Sequence, residues 1–249
     1  MSGHSKWHSI KHKKAAIDAK RGKLFSKLIK EITVAARIGG GDLNGNPRLR
    51  TAVQTARSNS LPLDNIERAI KKGTGELEGL AYEEVVYEGY GPGGVAIMLN
   101  ALTDNRNRTV SEIRRIFDKH GGNFGSTGCV AWMFKKRGVI AVDKSAVEEE
   151  KLLDLSLEAG ADDVSEAGDS FEVVTTPENF EAVKTALEAA GIKATHADVM
   201  MVPENTVRVT GKDAEHTVRL LEELDDHDDA QSVASNADFV PEELERLSA

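Results

Sequence analysis

The sequence has a single cysteine, Cys129, in 249 residues. One thiol cannot form an internal disulfide, which excludes a disulfide-stapled scaffold and fits a reducing compartment. Cys129 sits in the apolar run Cys129-Val130-Ala131-Trp132 with no His or acid beside it. That setting reads as a buried strand position and not as a nucleophile. No apolar run approaches the roughly 20 residues of a membrane span. The N-terminus is positive but lacks an apolar stretch, so no secretory signal is expected. It is poor in acids, as organelle transit peptides are, yet it is rich in lysine, with Arg21 the one arginine before Arg37. A cytoplasmic protein without a membrane partner is expected.

Catalytic motifs are missing too. There is no Gly-x-Ser-x-Gly elbow, no HExxH pair and no Cys/His cluster. The Gly-rich piece 89–95 lies between two strand patterns and lacks the Gly-Lys-Ser/Thr ending of a phosphate loop, so a hairpin turn is expected there. The second, 121–128, follows a helix pattern and precedes a strand pattern, the wrong order for a phosphate cradle, though a partner-contacting loop stays open. Neither an enzyme nor a cofactor, metal or small-molecule substrate is expected.

Positive charge is scarce overall but concentrated. The chain carries a formal −9, yet residues 1–80 sum to +9 and the remainder to −18. Within residues 1–30, nine Lys and Arg face one acid, Asp18. An asymmetry of this size points to a polyanionic partner; the alternative is a solvated helix face.

Periodicity divides the chain. Leu24, Leu28, Ile32 and Ala35 share one face of a helix over 24–38 that ends at Gly39-Gly40-Gly41. Asn46-Pro47 supplies an N-cap and a first-turn proline for a helix over 47–58. A third helix begins near Pro62 or Leu63 and stops at Gly73. Residues 1–80 are thus expected to form a basic arm on a three-helix domain.

From Tyr82 the pattern becomes α/β. A hairpin around Gly91-Pro92-Gly93-Gly94 precedes a helix at 106–119, capped by Thr103, Asp104 or Asn105. Strands at 129–135 and 138–143 are expected around a Lys-Lys-Arg-Gly turn. Over 138–202 the order reads β-α-β-β-α-β, the split-βαβ arrangement of ferredoxin-like domains. A helix at 213–225 and a strand at 230–236 are too few to close a core of their own. The expected class is α+β: a three-helix domain followed by two ferredoxin-like α/β domains, one discontinuous (81–130 plus 203–240) and one inserted (131–202).

The candidate binding residues lie in the basic end. Lys6, Lys11, Lys13, Lys14, Lys20, Arg21, Lys23 and Lys27 can replace counterions on a phosphate backbone. Trp7, His8 and His12 add stacking surface and donors; the alternative for Trp7 is packing onto the helical domain. His4, His8 and His12 recur every fourth residue, but the lysines around them disfavour a divalent cation. Arg48, Arg50, Arg57, Arg68, Lys71 and Lys72 form a second basic group on the second and third helices. The acidic run 225–229 does not have the spacing of a calcium loop and reads as a solvated turn.

The motifs GHSKW (3–7), IKHKK (10–14), DAKRGKLFSKLIKEI (18–32), NPRLR (46–50), NIERAIKKGTG (65–75), YEGYGPGGVAI (87–97) and TDNRNRT (103–109) together resemble the YebC family. The resemblance spans almost the whole chain and is strongest over 1–130. It implies three domains without a cofactor and a role in regulating gene expression. Bacterial members are described as probable transcriptional regulators, and a mitochondrial branch as a translational activator. Two nucleic-acid partners stay open, promoter DNA and ribosomal RNA on the ribosome, beside a third reading as a protein-interaction module. Against DNA, no helix offers Arg, Asn or Gln along one clear reading face.

Overall fold

The computed structural model describes residues 19–240, with side chains from Arg21 onward. It opens with three helices, α1 (Ala19–Gly39), α2 (Pro47–Ser58) and α3 (Leu63–Thr74). Helix α1 is the axis of this unit: α2 and α3 each pack along it and touch one another little. Leu28, Ile32 and Ala35 bury against Leu49, Val53 and Ala56 of α2 and Ile66 and Ala69 of α3, the stripe an amphipathic helix presents. The Asn46 side chain accepts from the Leu49 N–H at 3.1 Å, while its amide donates to the Ala35 and Gly40 carbonyls, both at 2.8 Å. One residue therefore starts α2 and closes α1.

Helix α3 runs past the expected stop. It continues through Thr74 and ends at Gly75, whose φ of 85° is the left-handed cap conformation. Gly73 has another use. A Cβ there would overlap the Thr33 carbonyl oxygen and lie 2.7 Å from the Ala36 Cβ, so its bare backbone lets α3 approach α1 closely.

The remaining elements in chain order begin with β1 (Glu83–Tyr90), β2 (Ala96–Thr103), α4 (Arg106–Lys119) and β3 (Asn123–Phe124). The next are β4 (Phe134–Asp143), α5 (Glu149–Glu158), β5 (Asp163–Ala167), β6 (Ser170–Thr175), α6 (Phe180–Ala189) and β7 (Ala194–Pro203). Last come β8 (Val207–Val209), α7 (Gly211–Asp225), β9 (Ala230–Ser235) and β10 (Ala237–Phe239). They build two four-stranded antiparallel sheets, ordered β3-β1-β2-β9 and β5-β6-β4-β7, and a short parallel pair of β8 with β10. The second sheet with α5 and α6 has the ferredoxin-like order. Strand β9 returns from beyond it to pair with β2, so the first α/β unit is discontinuous, and the fold is α+β. This unit also carries two helices, α4 and α7, on one sheet face, with the β1–β2 hairpin leading its chain order.

Strand β2 is covered on both sides. Ile97, Leu99 and Ala101 pack with Ile113 and Phe117 of α4 and Leu220, Leu221 and Leu224 of α7. Ala96 and Met98 meet Val130, Phe134 and Ala234 on the opposite face.

The structure corrects the reading of 129–143. No strand forms over 129–133: a turn and a short 3-10 segment, Ala131–Met133, take its place. Lys135, Lys136, Arg137 and Gly138 make no turn; they pair with Val202, Met201, Met200 and Val199 inside the continuous strand β4. Cys129, expected to be a buried strand residue, is only half-buried and lies outside any strand, while Val130 beside it is buried.

Candidate nucleic-acid interface

Lys6, Trp7, His8, Lys11, His12, Lys13 and Lys14 lie outside the described residues, as do His4 and the Lys20 side chain. Among the described residues, no group of His, Cys, Asp and Glu could hold a metal ion, and no helix is long and apolar enough to cross a membrane.

The first basic group within the structure is the face of α1 holding Lys23, Lys27 and Lys30, spaced to share one side of the helix. All three meet the end of α7 and the acidic turn after it. Lys23 Nζ donates to the Asp226 carbonyl at 2.9 Å. Lys27 Nζ donates to the Asp225 carbonyl at 2.7 Å and lies 3.7 Å from its carboxylate. Lys30 Nζ donates to the Asp228 carbonyl at 2.9 Å and to Asp229 Oδ1 at 2.7 Å. The last carbonyls of a helix have no partner within it and carry the negative end of its dipole. The lysines supply cations there, so the run 225–229 is an internal dock for α1 and not a free solvated turn.

Asp229 is the hub of that dock. It is buried and also accepts from Thr109 Oγ1 at 2.7 Å and Arg108 Nη2 at 2.6 Å. Burial alone would push its carboxyl up; the hydrogen bonds from Lys30, Thr109 and Arg108 outweigh it and hold the group well below the usual carboxylate range. Arg108 and Thr109 come from the motif at 103–109, whose Asn105 caps α4 by accepting from the Arg108 N–H at 3.1 Å. The capping motif is thereby also a joint between units. Sequence reasoning singled out no role for Lys30 and read Asp229 as part of a solvated turn, for the two lie about 200 residues apart along the chain. A groove of about 730 Å³ opens beside the joint, with Lys23, Lys30, Tyr82, Arg108, Arg115 and Asp228 on its walls.

The second basic group splits by use. Arg48 forks onto Glu31, with Nε to Oε1 at 2.7 Å and Nη2 to Oε2 at 3.0 Å, and also pairs with Glu84. It ties α2 to α1 and β1, and these bonds raise its pKa above the ordinary arginine value. Arg50 donates to the Leu43 carbonyl at 3.1 Å and so braces the loop before α2. Arg21 is exposed, with its guanidinium carbon 5.3 Å from the Phe25 ring centre. Arg57, Arg68, Lys71 and Lys72 are exposed as well, and none of the four forms an ion pair among the described residues. They are the uncommitted cations of the helical unit.

Comparison with known proteins matches both parts of the chain to one family. Residues 5–76 match the TACO1/YebC protein N-terminal domain and residues 82–237 the TACO1/YebC second and third domain. A probable transcriptional regulatory protein of Desulforapulum autotrophicum is 60% identical over 98% of both chains. One of the same description from Geobacter sulfurreducens is 58% identical over 99% of this chain and 100% of its own. The crystal structure of a conserved hypothetical protein from Aquifex aeolicus superposes with a TM-score of 0.81 at 49% identity, covering 90% of this chain and 93% of that one. The chain belongs to the TACO1/YebC family.

Proposed function

We propose that this protein regulates gene expression by binding nucleic acid through the positive charge of its N-terminal unit, without catalysing a reaction. The observation that carries the reading is the division of labour among the cations. Lys23, Lys27, Lys30 and Arg48 are spent on internal joints, whereas Arg57, Arg68, Lys71 and Lys72 stay exposed and unpaired among the described residues. In the sequence before them, Lys6, Lys11, Lys13 and Lys14 add charge and Trp7 an aromatic ring. Exposed cations without protein partners suit phosphate neutralisation, which positions a protein on nucleic acid without reading sequence. The names of the relatives, probable transcriptional regulatory proteins, support a regulatory role.

One observation favours RNA over promoter DNA. Helices α2 and α3 each pack on α1 and barely on each other, so they do not make the packed pair that presents a recognition helix to a major groove. Contact through charge and stacking suits irregular RNA with unpaired bases, as on a ribosome. Crosslinking in living cells followed by sequencing of the bound nucleic acid tests both levels. Ribosomal RNA supports action at translation and promoter DNA action at transcription. Recovery of neither contradicts the proposal and leaves a protein-interaction role.

A further inference from the structure

The chain beyond residue 80 is acidic, yet one of its helices is not. Helices α5, α6 and α7 each hold more acids than cations: four against one, two against one and five against two. Helix α4 reverses the balance, with Arg106, Arg108, Arg114, Arg115 and Lys119 against Glu112 and Asp118. Two of its cations are committed. Lys119 pairs with Glu223 at 2.7 Å, and Arg108 with Asp104 at 3.0 Å and Asp229 at 2.6 Å. Arg106, Arg114 and Arg115 are exposed and form no ion pair among the described residues.

Helix stability gives no reason for these three. Arg106 opens α4, and the first turn holds no acid, although the positive end of the helix dipole lies there and disfavours a cation. Thr109, Ile113, Ile116 and Phe117 mark the buried side of the helix. At 3.6 residues per turn, Arg114 and Arg115 stand about 100° apart, one on each shoulder of the outward face, and Arg106 lies on the Arg114 side two turns earlier. Asn107 lies between the shoulders, and Asp118 is the single acid there. The Arg114 guanidinium carbon is 5.1 Å from the Phe124 ring centre, and that ring meets buried Phe117 edge-on at 6.0 Å. A planar cation resting on a ring anchored in the core loses little freedom when it binds.

The helix is also fixed beside the N-terminal unit. Asp229 takes Arg108 from α4 and Lys30 from α1, and Arg115 shares the walls of the groove with Lys23 and Lys30. Asp226 and Asp228 line that groove too, so a polyanion belongs on the outward face of α4 and not inside the groove.

We propose that the outward face of α4, through Arg106, Arg114 and Arg115, is a second phosphate contact for the RNA held by the N-terminal unit. A guanidinium fork matches two phosphate oxygens at once, which a lysine cannot do, and Asn107 adds an amide donor of the kind that positions a backbone. The contact rests on the nucleic-acid reading above and deepens it by carrying the bound strand from the helical unit onto the acidic body.

The test uses the full-length protein and a labelled, mixed-sequence single-stranded RNA, with affinity measured across a range of salt and a DNA duplex run in parallel. Replacing Arg114 and Arg115 together with glutamine should flatten the slope of log affinity against log salt by about 1.4 on the RNA. Replacing Lys151 and Lys193, exposed cations of the second α/β unit, removes the same charge and should leave the slope unchanged. Arg106→Gln should weaken RNA binding while its thermal unfolding stays level or rises, because a cation leaves the positive end of the dipole; a purely structural arginine would lower both. If the parent binds RNA and the Arg114/Arg115 variant keeps its slope, the α4 contact is overturned while the charge-based reading of the N-terminal unit stands. Equal flattening by the two pairs would reduce the effect to overall charge and overturn it as well. Flattening on the DNA duplex alone would overturn RNA as the occupant. If the parent binds neither RNA nor DNA, the nucleic-acid reading fails and the contact with it.

Discussion

Asp229 shows how much one side chain carries. It receives Lys30 from α1 and Arg108 and Thr109 from α4, joining the helical unit to the first α/β unit. Asp229→Asn keeps the shape but removes the charge that both cations face. A loss of about 2–3 kcal/mol at neutral pH is expected in urea denaturation, because two cations are left facing a neutral amide in a partly buried site. The pH dependence has a definite sign. Its folded-state pKa lies below the ordinary value, so the stabilisation is complete above roughly pH 4 and drains as pH falls toward the folded value. The gap between parent and Asp229→Asn should accordingly be widest at neutrality and narrow below about pH 4. A gap that widens in acid would contradict the assignment.

At the level of elements, local chemistry written in the sequence was legible where nothing distant overrode it. Asn46 and Asn105 cap α2 and α4 as their side chains suggest, and α4 spans 106–119 as its periodicity predicts. The errors came from partners far along the chain. Lys-Lys-Arg-Gly at 135–138 has the composition of a turn, but the ladder to β7 holds it extended. Gly138 is glycine for packing, since a Cβ there would overlap Thr175 Oγ1 and lie 2.6 Å from Phe180 Cδ2. Cys129-Val130-Ala131-Trp132 has the composition of a strand, but Glu88 takes the N–H groups of Val130 and Ala131 that a ladder would use. Two glycines of the helical unit give opposite expectations. Gly22→Ala should stabilise by up to about 1 kcal/mol, because helix propensity improves and nothing lies within 4 Å of the new Cβ. Gly73→Ala should destabilise by about 1–3 kcal/mol despite the same propensity gain, because the Cβ meets α1. Thermal unfolding of the two variants measures both, and a stabilised Gly73→Ala would contradict the close α1–α3 approach.

Across the whole molecule, the charge asymmetry between the first 80 residues and the rest was plain in the sequence, but its use was not. Composition cannot separate a lysine that docks on an acidic turn about 200 residues away from one left for a ligand. Lys23 and Lys27 are the former by geometry, and Arg57, Lys71 and Lys72 remain exposed. The central claim is that the uncommitted cations of the N-terminal unit neutralise phosphates, and the dependence of RNA affinity on salt tests it most directly. The parent should lose affinity steeply as salt rises, and replacing Arg57, Lys71 and Lys72 together with glutamine should flatten the slope of log affinity against log salt by about 2. An unchanged slope in that variant would contradict the account.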